Sequence, residues 1–511
     1  MQPAKYRKTL IWLILISTAV RAFLAAFLEL GNDEVYYWTY ALFPDWSHFD
    51  HPPMVGFLIQ IFTFDLYLDQ EFFLRLGSVV LGSVNLWIIY KTGKLLRNER
   101  TGLYAAMLYT GSVYCFIIVG VFILPDTPQL FFWLSALFFF LRAIKNRASG
   151  DMLLAGALTG LAMLSKYTSA YLWAGILAYV VFHERHWLRR PSLYLSMGIT
   201  LLLFVPVIVW NVQSDWISFA YQGGRVSFFG SGLRPDYLLT EMAGQFFYNN
   251  PVNIVLVILA LAALSGKHRS LEKAGKRVLL WTSLPLILSF ILFSLVRPTL
   301  PHWSAPGYLG LLLFAGAWLD QRTRQGKRIP TGVWLSWIFL GVIIVAGVLQ
   351  IRWGMLYHHQ DADPRKMGEK DISLDLYGWK QTGNKFREML EKPGMQQYAR
   401  LPIITYRWFP AAHLDYYLAR RGDHYVLATG SPERIHKYVQ ISRKRGGFRK
   451  GMNALYLTSS RDFKDPEKLY GKYFSGITPL DTLRIRRNHK PVFNVFVYLL
   501  KDMQEIPDGT K

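Results

Sequence analysis

Apolar stretches long enough to matter to a bilayer recur along the first two thirds of the chain, separated by short polar segments. They fall near 10–28, 73–90, 103–122, 129–144, 152–165, 168–183, 193–211, 251–265, 278–296, 304–319 and 332–351. A membrane-crossing helix takes roughly 20 residues, so the pattern predicts about eleven spans. Met54 to Leu68 is apolar but shorter. It follows Pro52-Pro53 and is expected to form an interfacial or half-buried helix. The stretch 152–182 is basic at both ends, which fits two short spans hinged near Lys166. After Ile351 the apolar runs shorten. Strands are expected at 402–406, 425–428, 454–458 and 492–500, and helices at 379–391 and 411–420. The fold class read from this pattern is a polytopic α-helical membrane protein, domain 1–351, followed by a soluble extracytoplasmic α/β domain, 352–511.

Composition agrees. Of the 511 residues, 52% are hydrophobic and 18% charged, whereas soluble domains carry about 25% charged residues. The first apolar run is too long for a signal-peptide core and has no small-residue cleavage site, so it is read as a retained span. A single cysteine, Cys115, excludes an intrachain disulfide. The net charge of +23 sits mostly in short clusters between apolar runs, and no nucleic-acid motif accompanies it. One set of loops holds Lys5, Arg7, Lys8; Lys91, Lys94, Arg97, Arg100; Arg142, Lys145, Arg147; Arg185, Arg189, Arg190; Lys267, Arg269, Lys273, Lys276, Arg277; and Arg322, Arg324, Lys327, Arg328. The alternate set holds Lys166, Arg225, Arg234 and Arg297. The positive-inside rule puts the first set in the cytoplasm and the C-terminal domain outside. The basic clusters also face anionic lipid headgroups.

This threading gathers the unusual polar residues on the outer face. Asp33 and Glu34 open an aromatic helix after Asn32. One reading makes Asn32 the N-cap and the acids a favourable first turn. The other makes one acid, Asp33 in preference, a general base, since neighbouring helical residues point about 100° apart. Asp50-His51-Pro52-Pro53 is a rigid corner. It is a solvated turn or part of a site, and two candidate ligands are a weak signal for a divalent metal. Asp126, in Leu-Pro-Asp-Thr-Pro, caps the following span, serves the site, or does both. Lys166 either snorkels to the interface or binds a lipid phosphate. Arg225 and His302 are further candidates for balancing an anionic leaving group. Arg21 lies inside the first span, where pairing with Glu29 and holding a phosphate are both open.

Five strings, NDEVYYW (32–38), HFDHPP (48–53), LPDTPQLFFW (124–133), GLAMLSKYTS (160–169) and PHWSAPGYLGLLL (301–313), occur in this order. PVIVWN (206–211) and FPAAHLDYYLA (409–419) accompany them. Together they resemble the bacterial branch of the dolichyl-phosphate-mannose protein mannosyltransferase family, in the GT-C superfamily, to which the lipid A aminoarabinose transferases are related. The resemblance implies transfer of a sugar from a polyprenyl-phosphate donor to an extracytoplasmic acceptor (lipid A, another glycan or a protein) at the bacterial inner membrane. It implies Asp33 as the catalytic acidic position, with Glu34 beside it. It extends to Asp126 and Lys166, whose local strings match, as donor or acceptor contacts, while Asp50, His51, Arg225 and His302 are substrate-contact candidates from the residues themselves. The aminoarabinose enzymes show Glu-Lys-Pro where this chain has Asp50-His51-Pro52. No cofactor follows with certainty, and a divalent metal is an open alternative. The competing functions are a polysaccharide ligase or polymerase using the same donors, and a lipid or solute transporter. A transporter would carry polar residues deep in mid-span, whereas here they cluster at one surface.

Overall fold

The computed structural model describes residues 3–226, 232–263, 271–323, 329–356 and 363–507. Lys267, Arg269, Arg324, Lys327 and Arg328, part of the charge argument, lie outside them. By its contacts the chain divides into two compact units. One contains residues 1–26 and 44–342; the other contains 27–43 and 343–511.

The first unit is helical. Its elements begin with α1 (Pro3–Phe27); α2 (Asn32–Leu42) belongs to the second unit, and α3 (Met54–Thr63), α4 (Glu71–Leu96) and α5 (Glu99–Gly111) follow. Next come α6 (Asp126–Asn146), α7 (Ser149–Met163), α8 (Ala170–His183), α9 (Pro191–Gln213) and α10 (Ile217–Arg225). The series closes with α11 (Pro235–Tyr248), α12 (Pro251–Ala262), α13 (Lys273–Phe293), α14 (Tyr308–Arg322) and α15 (Thr331–Trp353), the last belonging to the second unit from residue 343 on, ahead of the 351/352 boundary expected from the sequence. Among the described residues, six helices are long and apolar enough to cross a membrane: α1, α4, α6, α9, α13 and α15. The α11–α12 pair, bent by 95°, supplies a seventh if it is one broken span. Each expected span contains a helix, but length alone does not reach the count of eleven. The expected 103–122 span shows why: α5 stops at Gly111, and a π-helix over Tyr114–Ile118 follows.

The apolar surface is turned outward. Leu202 is 70% exposed, Ile258 57% and Ile338 59%. Meanwhile Leu86, Leu134, Leu137, Ile176, Leu279 and Leu312 fill a buried core. An exposed apolar band around a packed helical core is the arrangement a bilayer demands, because lipid covers it at no hydration cost. The 54–68 segment is indeed short: α3 has 10 residues, about 15 Å of helix. It ends on three left-handed residues, Phe64, Asp65 and Leu66. The hinge near Lys166 is also present, since α7 ends at Met163 and Lys166 itself is extended (φ −158°, ψ 134°).

The second unit is built on a five-stranded sheet, β1 (Ile403–Thr405), β2 (Val426–Ala428), β3 (Ala454–Ser459), β4 (Phe474–Arg487) and β5 (Lys490–Met503). The spatial order is β2-β1-β3-β5-β4, with β1 parallel to both neighbours and β5 antiparallel to both of its own. Ile404, Leu427, Tyr456, Tyr470 and Leu500 form one side's core. The helices α16 (Trp379–Leu390) and α17 (Trp408–Tyr417) fall where the sequence expects them. The expectation omitted β4. Its sequence contains Gly476, Pro479 and Asp481, which disfavour a central strand. As an edge strand it tolerates them, with a register shift between Pro479 and Asp481. Asn488 and His489, both left-handed, make the two-residue turn into β5.

Residues 27–43 differ from the sequence boundary at 351/352, because they pack within the second unit. The cause is a set of specific anchors. Glu29 accepts the backbone N–H of Trp379 at 2.7 Å, Tyr417 Oη accepts the N–H of Leu30 at 2.8 Å, and Lys437 Nζ donates to Thr39 O at 3.1 Å.

Candidate active site

The site in the first unit starts from two buried charges of opposite sign. Asp126 is the first residue of α6, and Lys166 sits in the break between α7 and α8. Lys166 Nζ lies 3.0 and 2.9 Å from the two carboxylate oxygens of Asp126, and Tyr114 Oη donates to Oδ1 at 3.0 Å. Both charged residues are buried, at 2% and 5% exposure. Lys166 is therefore no snorkelling surface lysine, and Asp126 is spent on lysine and tyrosine, with Pro125 in the N-cap position. The π-helix contributes here, because Tyr114 is its first residue.

The corner Asp50-His51 reaches the same place through backbone ties. Met54 N–H donates to Leu164 O at 3.1 Å, and His48 N–H to His51 O at 3.1 Å. Gln222 of α10 donates its amide to Asp50 O, and Phe49 packs on Tyr221, ring centroids 4.8 Å apart. Tyr167 Oη shares a hydrogen bond with Ser218 Oγ at 2.8 Å. Helix α10 thus ends with Arg225 over the ring of Trp303 (4.2 Å) and beside Tyr221 (5.4 Å). His302, the neighbour of Trp303, faces Tyr248 with ring centroids 6.2 Å apart.

These elements enclose a cavity of about 260 Å³. His51, Lys166, Gln222 and Arg225 supply its polar wall, and Tyr171, Phe290, Phe293 and Trp303 its apolar one. His51 is held down to about 4 by burial, opposed by Asp50 and assisted by Lys166 and Arg225. His302 is likewise pushed down to about 4, first by burial; Asp126 opposes this, while Lys166, His51 and Arg225 add to it. Both imidazoles are therefore neutral at pH 7. The charged side chains around the cavity are the cations Lys166 and Arg225, which lie on its polar wall next to the apolar one, and the nearby carboxylates Asp50 and Asp126. That combination suits a phosphate group carrying a hydrocarbon chain. Among the described residues, no three His, Cys, Asp or Glu side chains are grouped as metal ligands.

Of the residues singled out in the sequence, the first unit thus brings Asp50, His51, Asp126, Lys166, Arg225 and His302 into one electrostatic neighbourhood. Asp33 and Glu34 belong to the second unit. There the two acids part, as their spacing predicts. Asp33 is exposed and Glu34 buried, with Glu34 Oε2 accepting the N–H of Gly31 at 3.0 Å in a capping arrangement. Gly31, not Asn32, is the N-cap. Asn32 is diverted because its Oδ1 meets His413 Nε2 at 2.9 Å. His413 is buried and stacked on Trp379 at 4.0 Å. Burial holds it well below the ordinary histidine range, so Nε2 carries the hydrogen that Asn32 accepts. Gln222, Tyr171, Phe290 and Phe293 were not anticipated. Apolar residues on a spanning helix look alike in sequence whether they face lipid or a cavity. Gln222 alone carried a signal, as a polar residue three positions before Arg225.

Residues 50–210 match the family described as dolichyl-phosphate-mannose-protein mannosyltransferase. A lipid A galacturonosyltransferase of Rhizobium johnstonii is 22% identical over 303 residues, covering 58% of this chain and 62% of that protein. An undecaprenyl phosphate-alpha-4-amino-4-deoxy-L-arabinose arabinosyl transferase of Proteus mirabilis is 23% identical over 318 residues, covering 59% of this chain and 55% of that one. The aligned region thus spans about three fifths of the length of these relatives. The crystal structure of ArnT from Cupriavidus metallidurans bound to undecaprenyl phosphate superposes with a TM-score of 0.64 at 14% identity, covering 97% of this chain and 98% of that one. Its apo form gives 0.66 at 13% identity, covering 96% and 98%. The chain shares the fold of these ArnT structures and is similar in sequence, over the aligned regions, to the two sugar transferases.

Proposed function

We propose that this protein is a bacterial inner-membrane glycosyltransferase that moves one sugar from a polyprenyl-phosphate carrier to a lipid A-type acceptor at the outer leaflet. The proposed topology has eleven spans, a cytoplasmic N-terminus and residues 352–511 outside. The observation that carries the reading is the cavity that combines Lys166 and Arg225 with Tyr171, Phe290, Phe293 and Trp303. A leaving polyprenyl phosphate presents the matching pair of features, a compact anion on an apolar chain. The relatives act on lipid A or on an undecaprenyl-phosphate sugar by name, and this supports the same substrate classes here.

The chemistry proposed is a single displacement with inversion. The acceptor hydroxyl oxygen forms a bond to the anomeric carbon as the bond from that carbon to the phosphate oxygen breaks. Asp33 accepts the hydroxyl proton. The released phosphate carries the electron pair and gains negative charge. Lys166 and Arg225 meet that charge, and fixed cations in a water-poor site stabilise it far better than solvent-exposed ones do. Arg225 is held in place by the faces of Trp303 and Tyr221, and Lys166 by Asp126. Neutral His51 can donate one N–H to a phosphate oxygen without adding a third positive charge.

Mass spectrometry of lipid A and of membrane lipids from a deletion strain tests the reading. Loss of one sugar from lipid A, with a polyprenyl-phosphate sugar accumulating, is the expected outcome, restored by the wild-type chain and not by the double variant Lys166→Met, Arg225→Met. Loss of a long glycan instead would make the protein a ligase. An unchanged lipid A together with an unchanged carrier pool would overturn the proposal.

A further inference from the structure

A second group of polar side chains lies in the first unit, away from the residues that line the phosphate-sized cavity. Arg21 of α1 is 0% exposed, as are Asn85 of α4 and Tyr109 of α5. All three nitrogens of the Arg21 guanidinium lack a hydrogen-bond partner among the described residues, and the Asn85 amide and the Tyr109 hydroxyl have none there besides each other. They form one neighbourhood, because Arg21 acts electrostatically on Tyr109 and on Cys115, and Tyr109 adjoins Asn85. The chain has made room for this cation. A Cβ on Gly82 would lie 3.2 Å from Arg21 Nη1, and one on Gly120 would lie 2.6 Å from Nε. The guanidinium carbon sits 4.6 Å from the centre of the Phe116 ring.

A buried guanidinium cannot shed its proton, so its charge must be met by something. One ring face offsets only part of the desolvation. Water would satisfy the donors but leave the charge uncompensated. A lipid headgroup is a poor candidate, since Arg21 has no exposed surface and two glycine backbones crowd it. We propose that Arg21, Asn85 and Tyr109 form an internal binding site for a small monovalent anion of halide size. The anion takes hydrogen bonds from the guanidinium, from the Asn85 amide and from the Tyr109 hydroxyl. The site connects structurally to the phosphate-sized cavity through the π-helix, which carries Cys115 and Phe116 at the anion site and Tyr114 on Asp126.

The probe is bromide, used on the full-length protein in detergent or nanodiscs. The expected result is an anomalous bromide peak within hydrogen-bond distance of Arg21. A melting temperature that rises saturably with chloride or bromide, compared with gluconate at equal ionic strength, should accompany it. Arg21→Gln, which removes the charge and keeps an amide, should lose this halide response and be at least as stable as wild type in gluconate. If Arg21→Gln does not fold, Asn85→Ala serves instead and should raise the halide midpoint by about tenfold, the weight of one hydrogen bond to a charged group. Ordered waters with no bromide peak, a wild-type melting temperature indifferent to halide, or an unchanged halide response in the variant would each overturn the site.

Discussion

The Lys166–Asp126 pair gives a sharp physical test, because its stability role and its proposed catalytic role come apart on mutation. Asp126→Asn keeps the size of the side chain and an acceptor for Tyr114 Oη, but leaves Lys166 buried without a counter-charge. The pair closes at 2.9 and 3.0 Å with both groups at least 95% buried. At an effective dielectric of about 20, two unit charges that close attract by roughly 5 kcal/mol. Removing one partner of such a buried pair typically costs about 3–5 kcal/mol. The double variant Asp126→Asn, Lys166→Met removes both charges, and apolar replacement of a buried pair is often close to neutral. It should recover to within about 1–2 kcal/mol of wild type. Transfer should follow the opposite pattern. Lys166→Met removes a cation from the leaving phosphate and should cost about 10²–10³ in kcat, or about 3–4 kcal/mol, in both the single and the double variant. Tryptophan-fluorescence unfolding of the purified protein reads the first quantity, and single-sugar transfer in membranes reads the second. A double variant no more stable than Asp126→Asn would refute the pairing energetics. Full transfer by Lys166→Met would refute the leaving-group role.

Other consequences follow from the same geometry. Asp33→Asn should lower kcat by at least about 10²-fold, whereas Glu34→Gln should leave kcat near wild type and cost about 0.5–1.5 kcal/mol in stability as a weakened cap; equal kinetic losses in the two would contradict the division of roles. His51 and His302, held to about 4 in the folded protein against an ordinary 6.5, leave the unfolded chain binding more protons between those values. Their contribution is therefore fully present above pH 6.5 and is lost as pH falls to 4, by at most about 3 kcal/mol per ring. His302→Asn should flatten that slope in a pH series of unfolding midpoints, and an unaltered slope would sink the assignment. Trp303→Ala should release Arg225 from its ring, removing about 0.5–2 kcal/mol. It should raise the KM for the lipid-linked donor several-fold more than that for the acceptor, as steady-state kinetics on both substrates would show.

Much of this arrangement could be read from the chain, for identifiable reasons. Helix positions in the first unit follow from apolar runs, and the break at Lys166 follows from charge at both ends of 152–182. Threading puts the costly polar residues at span ends on one face; Asp50, His51, Asp126, Lys166, Arg225 and His302 share a neighbourhood in the first unit, whereas Asp33 and Glu34, threaded to the same face, belong to the second. What the sequence could not supply was pairing. Asp126 and Lys166 lie 40 positions apart, and nothing local says that one holds the other rather than capping α6. Helix length was also misjudged where a π-helix interrupts an apolar run, because composition is blind to a change in hydrogen-bond register. In the second unit β4 was hidden by Gly476, Pro479 and Asp481, which an edge strand accepts and a central one does not. The packing of residues 27–43 within that unit rests on long-range anchors such as Glu29 to Trp379, which carry no periodic signal.

The central claim is that Lys166 and Arg225 hold the phosphate of a polyprenyl carrier. Equilibrium binding of undecaprenyl phosphate to the full-length protein in nanodiscs, for wild type and for the Lys166→Met, Arg225→Met variant, tests it most directly. Two lost charge-assisted contacts predict an affinity at least about 100-fold weaker in the variant, with the free lipid alcohol binding both proteins equally. Equal affinity of the two proteins for undecaprenyl phosphate would contradict the account.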